Sequence, residues 1–220
     1  MKIKQLLLLC LLGVACMQEP PIDKTQTLPF YNSEEFTPEW ILKSDKQYTQ
    51  IHTIAPFEFI NQNEKKITNK DFEGKIYIAD FFFTTCPSIC PILSKNMGSL
   101  QETYKEDENI LLLSHSVMPW VDSVEKIKEY ALKQKAIDGK WHLVTGDRDQ
   151  IYKIARASYF ADEDFKKTKD KSEFIHTENF VLVDKKGRIR GVYNGTLALD
   201  IQRLKRHIEI LKREKIQNKL

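Results

Sequence analysis

The stretch Ile76-Tyr77-Ile78-Ala79-Asp80-Phe81-Phe82-Phe83 constrains this chain more than any other feature. Apart from Asp80 it is an unbroken run of β-branched, aromatic and small apolar residues. A strand covered on one face alternates apolar and polar side chains, whereas one covered on both faces does not. The run therefore predicts a central strand buried from both sides. Shortly after it comes Cys86-Pro87-Ser88-Ile89-Cys90-Pro91, and then Leu93, Met97 and Leu100 at helical spacing. A cysteine pair where a strand gives way to a helix has chemical consequences. Unpaired N–H groups and the positive end of the helix dipole stabilise a thiolate. Four-residue spacing puts both sulfurs on one helical face, with β-carbons roughly 5–6 Å apart. Such a pair can close a disulfide or hold one soft ion. Pro87 suits the first helical position, where no N–H is needed. Pro91 either distorts the first turn or starts the regular helix after Cys90.

Other elements fall on either side of this junction. Residues 52–60 alternate apolar and polar, and with 67–74 they predict a β-hairpin leading into the core. Residues 109–117 predict a second buried strand. Ser123 is a candidate N-cap for a helix over 123–135, with Val124, Ile127, Tyr130 and Ala131 on one face. A short strand over 141–144, a helix over 150–158, and strands over 180–184 and 188–193 follow. The last two are joined by the turn Lys185-Lys186-Gly187. A final helix from about Asp200 places Ile201, Leu204, Ile208 and Leu211 together, and its Lys/Arg-rich remainder reads as a solvated face. Strand–helix–strand–helix, then a hairpin and a helix, with the cysteines after the first central strand, is the thioredoxin order. The fold class expected is α/β and thioredoxin-like. It has a mixed central sheet, helices on both faces and an N-terminal β-hairpin extension.

The N-terminus is read as an export signal. Lys2 and Lys4 precede the apolar run Leu6 to Val14, which is too short to span a bilayer stably. Gly13-Val14-Ala15-Cys16 resembles a bacterial lipobox, with Gly13 in place of the usual leucine. Lipidation of Cys16 is expected, and an ordinary cleaved signal is the alternative. The division expected is a lipoprotein-type signal over 1–15, a tether over 16–46 that partly packs on the domain, and a domain over 47–217. The protein is then exported and anchored by lipid, facing the periplasm or cell exterior, where thiols oxidise unless kept reduced. Cys10 is discarded with the signal, so only Cys86 and Cys90 serve the folded domain. The net charge of +3 falls to +1 once Lys2 and Lys4 are removed, which takes away the electrostatic case for nucleic-acid binding.

Among five histidines, four have ordinary explanations. His52 and His207 read as surface residues, and His115 and His142 as hydrogen-bonded core or edge residues. His176 precedes the strand over 180–184. In thioredoxin-like folds the loop there faces the cysteine pair and usually carries a cis proline. This loop, Phe174-Ile175-His176-Thr177-Glu178, has none. An imidazole beside two thiolates suits three-coordinate Cu(I), whereas zinc asks for a fourth ligand. The alternative for His176 is a loop histidine that caps backbone groups.

With these residues in view, the chain resembles the Sco/SenC family of copper-binding assembly factors for cytochrome c oxidase. The resemblance covers about residues 50–200. It rests on the run from Asp80 to Pro91, on Trp141-His142-Leu143-Val144-Thr145-Gly146, and on His176 placed ahead of Phe180-Val181-Leu182-Val183-Asp184. It implies copper bound through Cys86, Cys90 and His176, as Cu(I) with Cu(II) as a second state. The implied task is delivery to the Cu-A centre of oxidase subunit II, and a second is reduction of that subunit's cysteines. One departure stands out. Where the family commonly has an Asp-Pro after the second strand, this chain reads Val117-Met118-Pro119. Met118 is thus either an additional thioether ligand or a packing residue. The competing function is a thiol–disulfide oxidoreductase in which Cys86 attacks and Cys90 resolves, with the Cys86–Cys90 disulfide as its oxidised form. Such a reductase has no need of His176. A peroxidase of the peroxiredoxin type lacks support, because no arginine set stands near Cys86 in the sequence and the second cysteine fits better as a co-ligand.

Overall fold

A computed structural model of the chain describes residue 23 and residues 26–161 and 177–214. Two short strands, β1 (Phe30–Tyr31) and β2 (Pro38–Glu39), pair near the start. The hairpin β3 (Glu58–Asn61) and β4 (Lys66–Thr68) follows, then β5 (Ile76–Phe82), α1 (Cys90–Tyr104), β6 (Ile110–Ser116) and α2 (Val124–Lys133). Next come β7 (Trp141–Thr145), α3 (Arg148–Ala157), the hairpin β8 (Asn179–Val183) and β9 (Ile189–Asn194), and α4 (Ala198–Arg213). Seven strands form one mixed sheet in the order β4-β3-β7-β6-β5-β8-β9. β5, β6 and β7 run parallel, and the hairpins join antiparallel at the two sides.

All seven residues of β5 are buried, as its composition predicts. The pleat divides them between two cores. Ile76, Ile78 and Phe82 face α1, α2 and α4, where Leu93, Met97, Leu100, Ile127, Leu204 and Ile208 close the layer. Tyr77, Ala79 and Phe81 face α3 and an aromatic cluster of Phe57, Phe59, Phe72 and Tyr159. Asp80 shares the α1 face by alternation, and so lies in the layer that also holds Cys90. α2 and α3 start at the caps Ser123 and Asp147, whose side chains accept from Lys126 N and Gln150 N. Gly187 takes a φ of +74° in the turn between β8 and β9, a conformation glycine adopts without a steric cost.

The predicted hairpin is present, with narrower strands than the alternation implies. Residues 52–57 are not a strand. Ile51, Ile54 and Phe57 are buried at a spacing of three. The backbone of this segment bonds outside any ladder, with Ile54 N donating to Gly187 O and Ala55 N to Ser158 Oγ. After β4 the chain turns through a short 3₁₀ segment, Asn69–Phe72, set by reciprocal bonds between Thr68 and Asp71. The segment ahead of the main sheet packs firmly. Leu28 and Phe30 are buried, and Arg190 donates to the Leu28 and Pro29 carbonyls.

Candidate metal centre

The cysteine pair stands at the C-terminal end of β5. Helix α1 begins at Cys90, not at Cys86. Pro91 explains this: in the first turn its missing N–H costs nothing, whereas one turn deeper it would break a helical bond. Pro87 therefore does not occupy the first helical position. Residues 84–89 form a turn over the helix N-terminus instead, with Cys86 N donating to Phe83 O at 3.3 Å. Both cysteines are free thiols, Cys86 half-buried at the mouth and Cys90 buried behind it.

Their environments push the two thiols apart. Partial burial acts to raise the pKa of Cys86, but the backbone N–H groups of Cys90, Ser88 and Ile89 and the Cys90 thiol outweigh it, so the net shift is downward. Burial pushes Cys90 up to about 12, against a backbone bond at Phe83, and the charges of Cys86 and Asp80 push the same way. Cys86 is thus the more acidic and more nucleophilic thiol, and Cys90 a protonated partner whose proton leaves to solvent when its sulfur bonds to an electrophile or a metal.

Two buried carboxyls that sequence reasoning passes over stand behind this loop. Asp80 accepts a hydrogen bond from Ser114 Oγ, which in turn accepts from Trp141 Nε1 at 2.9 Å. Burial without a cationic partner raises the Asp80 pKa to about 7, the Ser114 bond opposing the rise. Tyr130, bonded to Ser94 Oγ at 2.7 Å, is raised to about 12, first by burial and then by the charges of Cys90, Asp80 and Cys86. The second carboxyl, Asp122, reaches from the loop after β6 to Thr84. One polar residue inside an apolar strand is the only signal that marks Asp80 in the sequence, and nothing marks Asp122.

The other site residues expected from sequence fall as follows. His176 and Cys16 lie outside the described residues. Thr177, one residue past His176, leads into β8, which lies beside β5 with Ala79 opposite Val181. Glu178 O accepts from Gly195 N, and Gly195 O accepts from Asn96 Nδ2 on α1. A Cβ on Gly195 would come within 2.6 Å of Phe180 and 2.7 Å of Leu93, so only glycine lets this loop lie so close. Met118 lies in the half-buried loop after β6, its N–H donating to Ser116 Oγ and its carbonyl accepting from Val121 N and Asp122 N. Among the described residues alone, no three His, Cys, Asp or Glu side chains gather as a metal site. His142 is hydrogen-bonded as expected, Nδ1 lying 3.2 Å from Asn61 Nδ2. His115 is buried but among the described residues neither ring nitrogen has a partner, contrary to expectation. His52 and His207 are half-buried and bonded, to Ser158 O and Tyr193 OH.

Comparison with known proteins places this geometry. The SCO1 protein homolog of Bacillus subtilis is 32% identical over 146 residues, covering 66% of this chain and 75% of the relative. A solved SCO1/SenC family lipoprotein from Bacillus anthracis superposes with a TM-score of 0.63 at 28% identity, over 78% of this chain and 99% of that one. The solved BsSco, described as a Sco-family cytochrome c oxidase assembly protein with a disulfide switch, gives a TM-score of 0.58 at 28% identity, over 70% and 92%. The thioredoxin-like Sco fold expected from the element order is therefore the fold observed. The SCO1/SenC family model matches residues 45–211, more than half of the chain, and the chain belongs to the SCO1/SenC family.

Proposed function

We propose that this protein binds copper through Cys86, Cys90 and His176 and delivers it during cytochrome c oxidase assembly, with the Cu-A centre of subunit II as recipient. A lipid on Cys16 would hold it at the membrane. The observation that carries this reading is a pair of free thiols, one at the mouth and one behind, in a domain of the SCO1/SenC family. The solved BsSco is described as a member of a family of cytochrome c oxidase assembly proteins, and the solved relative from Bacillus anthracis as a lipoprotein. The donor set fits the cargo, since two thiolates and an imidazole are soft enough for Cu(I). Cys86 offers the first thiolate, and capture by Cys90 expels its proton. Copper affinity therefore falls as pH falls.

The test is a Cu(I) titration of the reduced full chain, its Cys86→Ser/Cys90→Ser variant and its His176→Ala variant, with oxidase activity measured in cells carrying each. Copper retained by the double serine variant sinks the reading. A second reading, thiol–disulfide exchange on exported cysteine pairs, draws on the split between a lowered Cys86 and a raised Cys90. Exchange needs one attacking thiolate and one resolving thiol, and no imidazole. Full oxidase rescue by His176→Ala favours exchange, and loss of oxidase with disulfide reduction intact favours copper delivery.

A further inference from the structure

Asp122 is fully buried, and its hydrogen-bond donors are all uncharged. Its carboxylate accepts from Thr84 N at 3.2 and 3.3 Å, from Thr84 Oγ1 at 2.5 Å and from Ser116 Oγ at 2.5 Å. Thr84 lies two residues before Cys86, and Ser116 ends β6. One side chain thus ties the start of the cysteine turn to the end of the neighbouring parallel strand. The same residue holds the opposite wall. Asp122 N donates to Met118 O at 2.8 Å, and Ser116 Oγ accepts from Met118 N at 3.2 Å. Its backbone and side chain therefore fix Met118 and the cysteine turn as one unit.

We propose that Asp122 is a positioning residue for the thiol centre: through Thr84 it holds the Cys86–Cys90 turn in the geometry that keeps the pair as a metal-ready dithiol, in register with the Met118 loop. The metal part of this proposal rests on the copper reading above. A buried carboxylate is costly unless its lone pairs are filled. Here the filling donors come from two strand ends, so the same bonds that satisfy the carboxylate also set the turn. A loose turn would no longer aim the Ser88, Ile89 and Cys90 N–H groups at Cys86 Sγ. The reduced form would lose stabilisation, and the equilibrium would move towards the disulfide.

Chemistry separates positioning from charge. In Asp122→Asn, with the amide oxygen in the place of Oδ1, that oxygen still accepts from Thr84 N–H and Thr84 Oγ1, while the Ser116 hydroxyl rotates to accept from the amide NH₂. The clamp survives without the charge. Asp122→Ala removes it, and Thr84→Val removes one arm while leaving Asp122 in place. The full chain and these variants are equilibrated with glutathione buffers to read the dithiol–disulfide constant, and titrated with Cu(I) against a competing chelator. The Ala and Val variants should favour the disulfide at least tenfold, which is ~30 mV for this two-electron couple. Their Cu(I) affinity should fall about 10–100-fold, the range for groups that orient metal ligands. The Asn variant should stay near wild type in both, and Thr84→Ser should match wild type. If Asp122→Ala fails to fold, Thr84→Val carries the test. Folded Ala and Val variants within twofold of wild type in the glutathione constant overturn the proposal, and so does an Asn variant as impaired as Ala. Wild type that takes up no Cu(I) defeats the copper reading, while the glutathione constants still decide the role of Asp122.

Discussion

Arg190 and Glu214 meet as a two-pronged ion pair, Nη1 to Oε2 at 2.9 Å and Nη2 to Oε1 at 2.8 Å. The same guanidinium donates to the Leu28 and Pro29 carbonyls, and Glu214 Oε1 also accepts from Leu28 N. The pair clamps the segment before β1 against β9 and the end of α4. Because α4 runs from the cysteine end of the sheet to the opposite end, this clamp sits far from Cys86. Glu214→Ala leaves a buried guanidinium with Asp184 as its remaining carboxylate. Losing one partner of a buried pair costs up to 3–5 kcal/mol, and Asp184 should hold the loss to about 2 kcal/mol. Urea unfolding should show that loss, and limited proteolysis should open the chain near Leu28. Unchanged stability and cleavage would mean that the clamp contributes nothing.

The split between the two thiols predicts ordered alkylation. At pH 8 iodoacetamide should modify Cys86 first, since its pKa is lowered and its sulfur stands at the mouth. Cys90, buried with its pKa near 12, should react at least about tenfold more slowly. Cys90→Ser should keep the fast phase and Cys86→Ser should abolish it, as read by mass spectrometry over time. Equal rates at the two positions would contradict the asymmetry.

Asp80 predicts a stability change with a definite sign. Its folded pKa is about 7 against an ordinary 3.8, so the folded state holds this proton more tightly than the unfolded chain. The Asp80 contribution to stability is then greatest below pH 4, falls as pH rises to about 7, and remains reduced above. Asp80→Asn keeps an acceptor for Ser114 Oγ and removes the charge. It should be more stable than wild type at pH 8, by up to about 4 kcal/mol, with the gain shrinking to near zero at pH 4. Removing the charge behind Cys90 should also speed alkylation of that thiol. Denaturant unfolding at both pH values is the check, and a variant less stable at pH 8 would show that the carboxylate is better compensated than its uncharged partners imply.

What was legible in the sequence was carried by pattern. The continuous run over 76–83 marks a strand buried on both faces, and Ile201, Leu204, Ile208 and Leu211 mark the buried stripe of the last helix, because these signals depend only on residues close in the chain. The cap Ser123 is readable for the same reason. The alternation over 52–60 misleads, since a loop that buries every third residue mimics a strand over so short a span. The helix start at Cys90 turns on which of two prolines leads, and the motif alone allows either. Asp80 and Asp122 are harder still. Each gains its meaning from residues far along the chain, Ser114 and Trp141 for one, Thr84 for the other, and these meet only after β5 and β6 have paired.

His115 carries the last prediction. Its ring stacks on Phe81 at a centroid distance of 5.2 Å and lies edge-on to Phe59 at 5.5 Å, with Phe57 and Tyr159 closing the box. Among the described residues no partner meets either ring nitrogen, and burial alone pushes the pKa down to about 3. The folded protein therefore holds His115 neutral where the unfolded chain, near the ordinary 6.5, takes up a proton. Below pH 6.5 the unfolded state binds more protons, so stability falls as pH falls, and the loss continues until about pH 3. At pH 5 the solution is 1.5 units below the unfolded histidine's pKa of 6.5, which corresponds to ~2 kcal/mol. His115→Phe keeps an aromatic ring in the box and removes the titration. Between pH 7.5 and pH 5 the variant should lose about 2 kcal/mol less than wild type, whatever its stability at either pH. Comparing this difference, instead of absolute values, cancels any cost of fitting the larger ring. It also separates His115 from Asp80, whose protonation over the same interval acts in the stabilising direction in both proteins. Parallel pH profiles for wild type and His115→Phe would show that the unfolded chain, or a water inside the box, already compensates the imidazole.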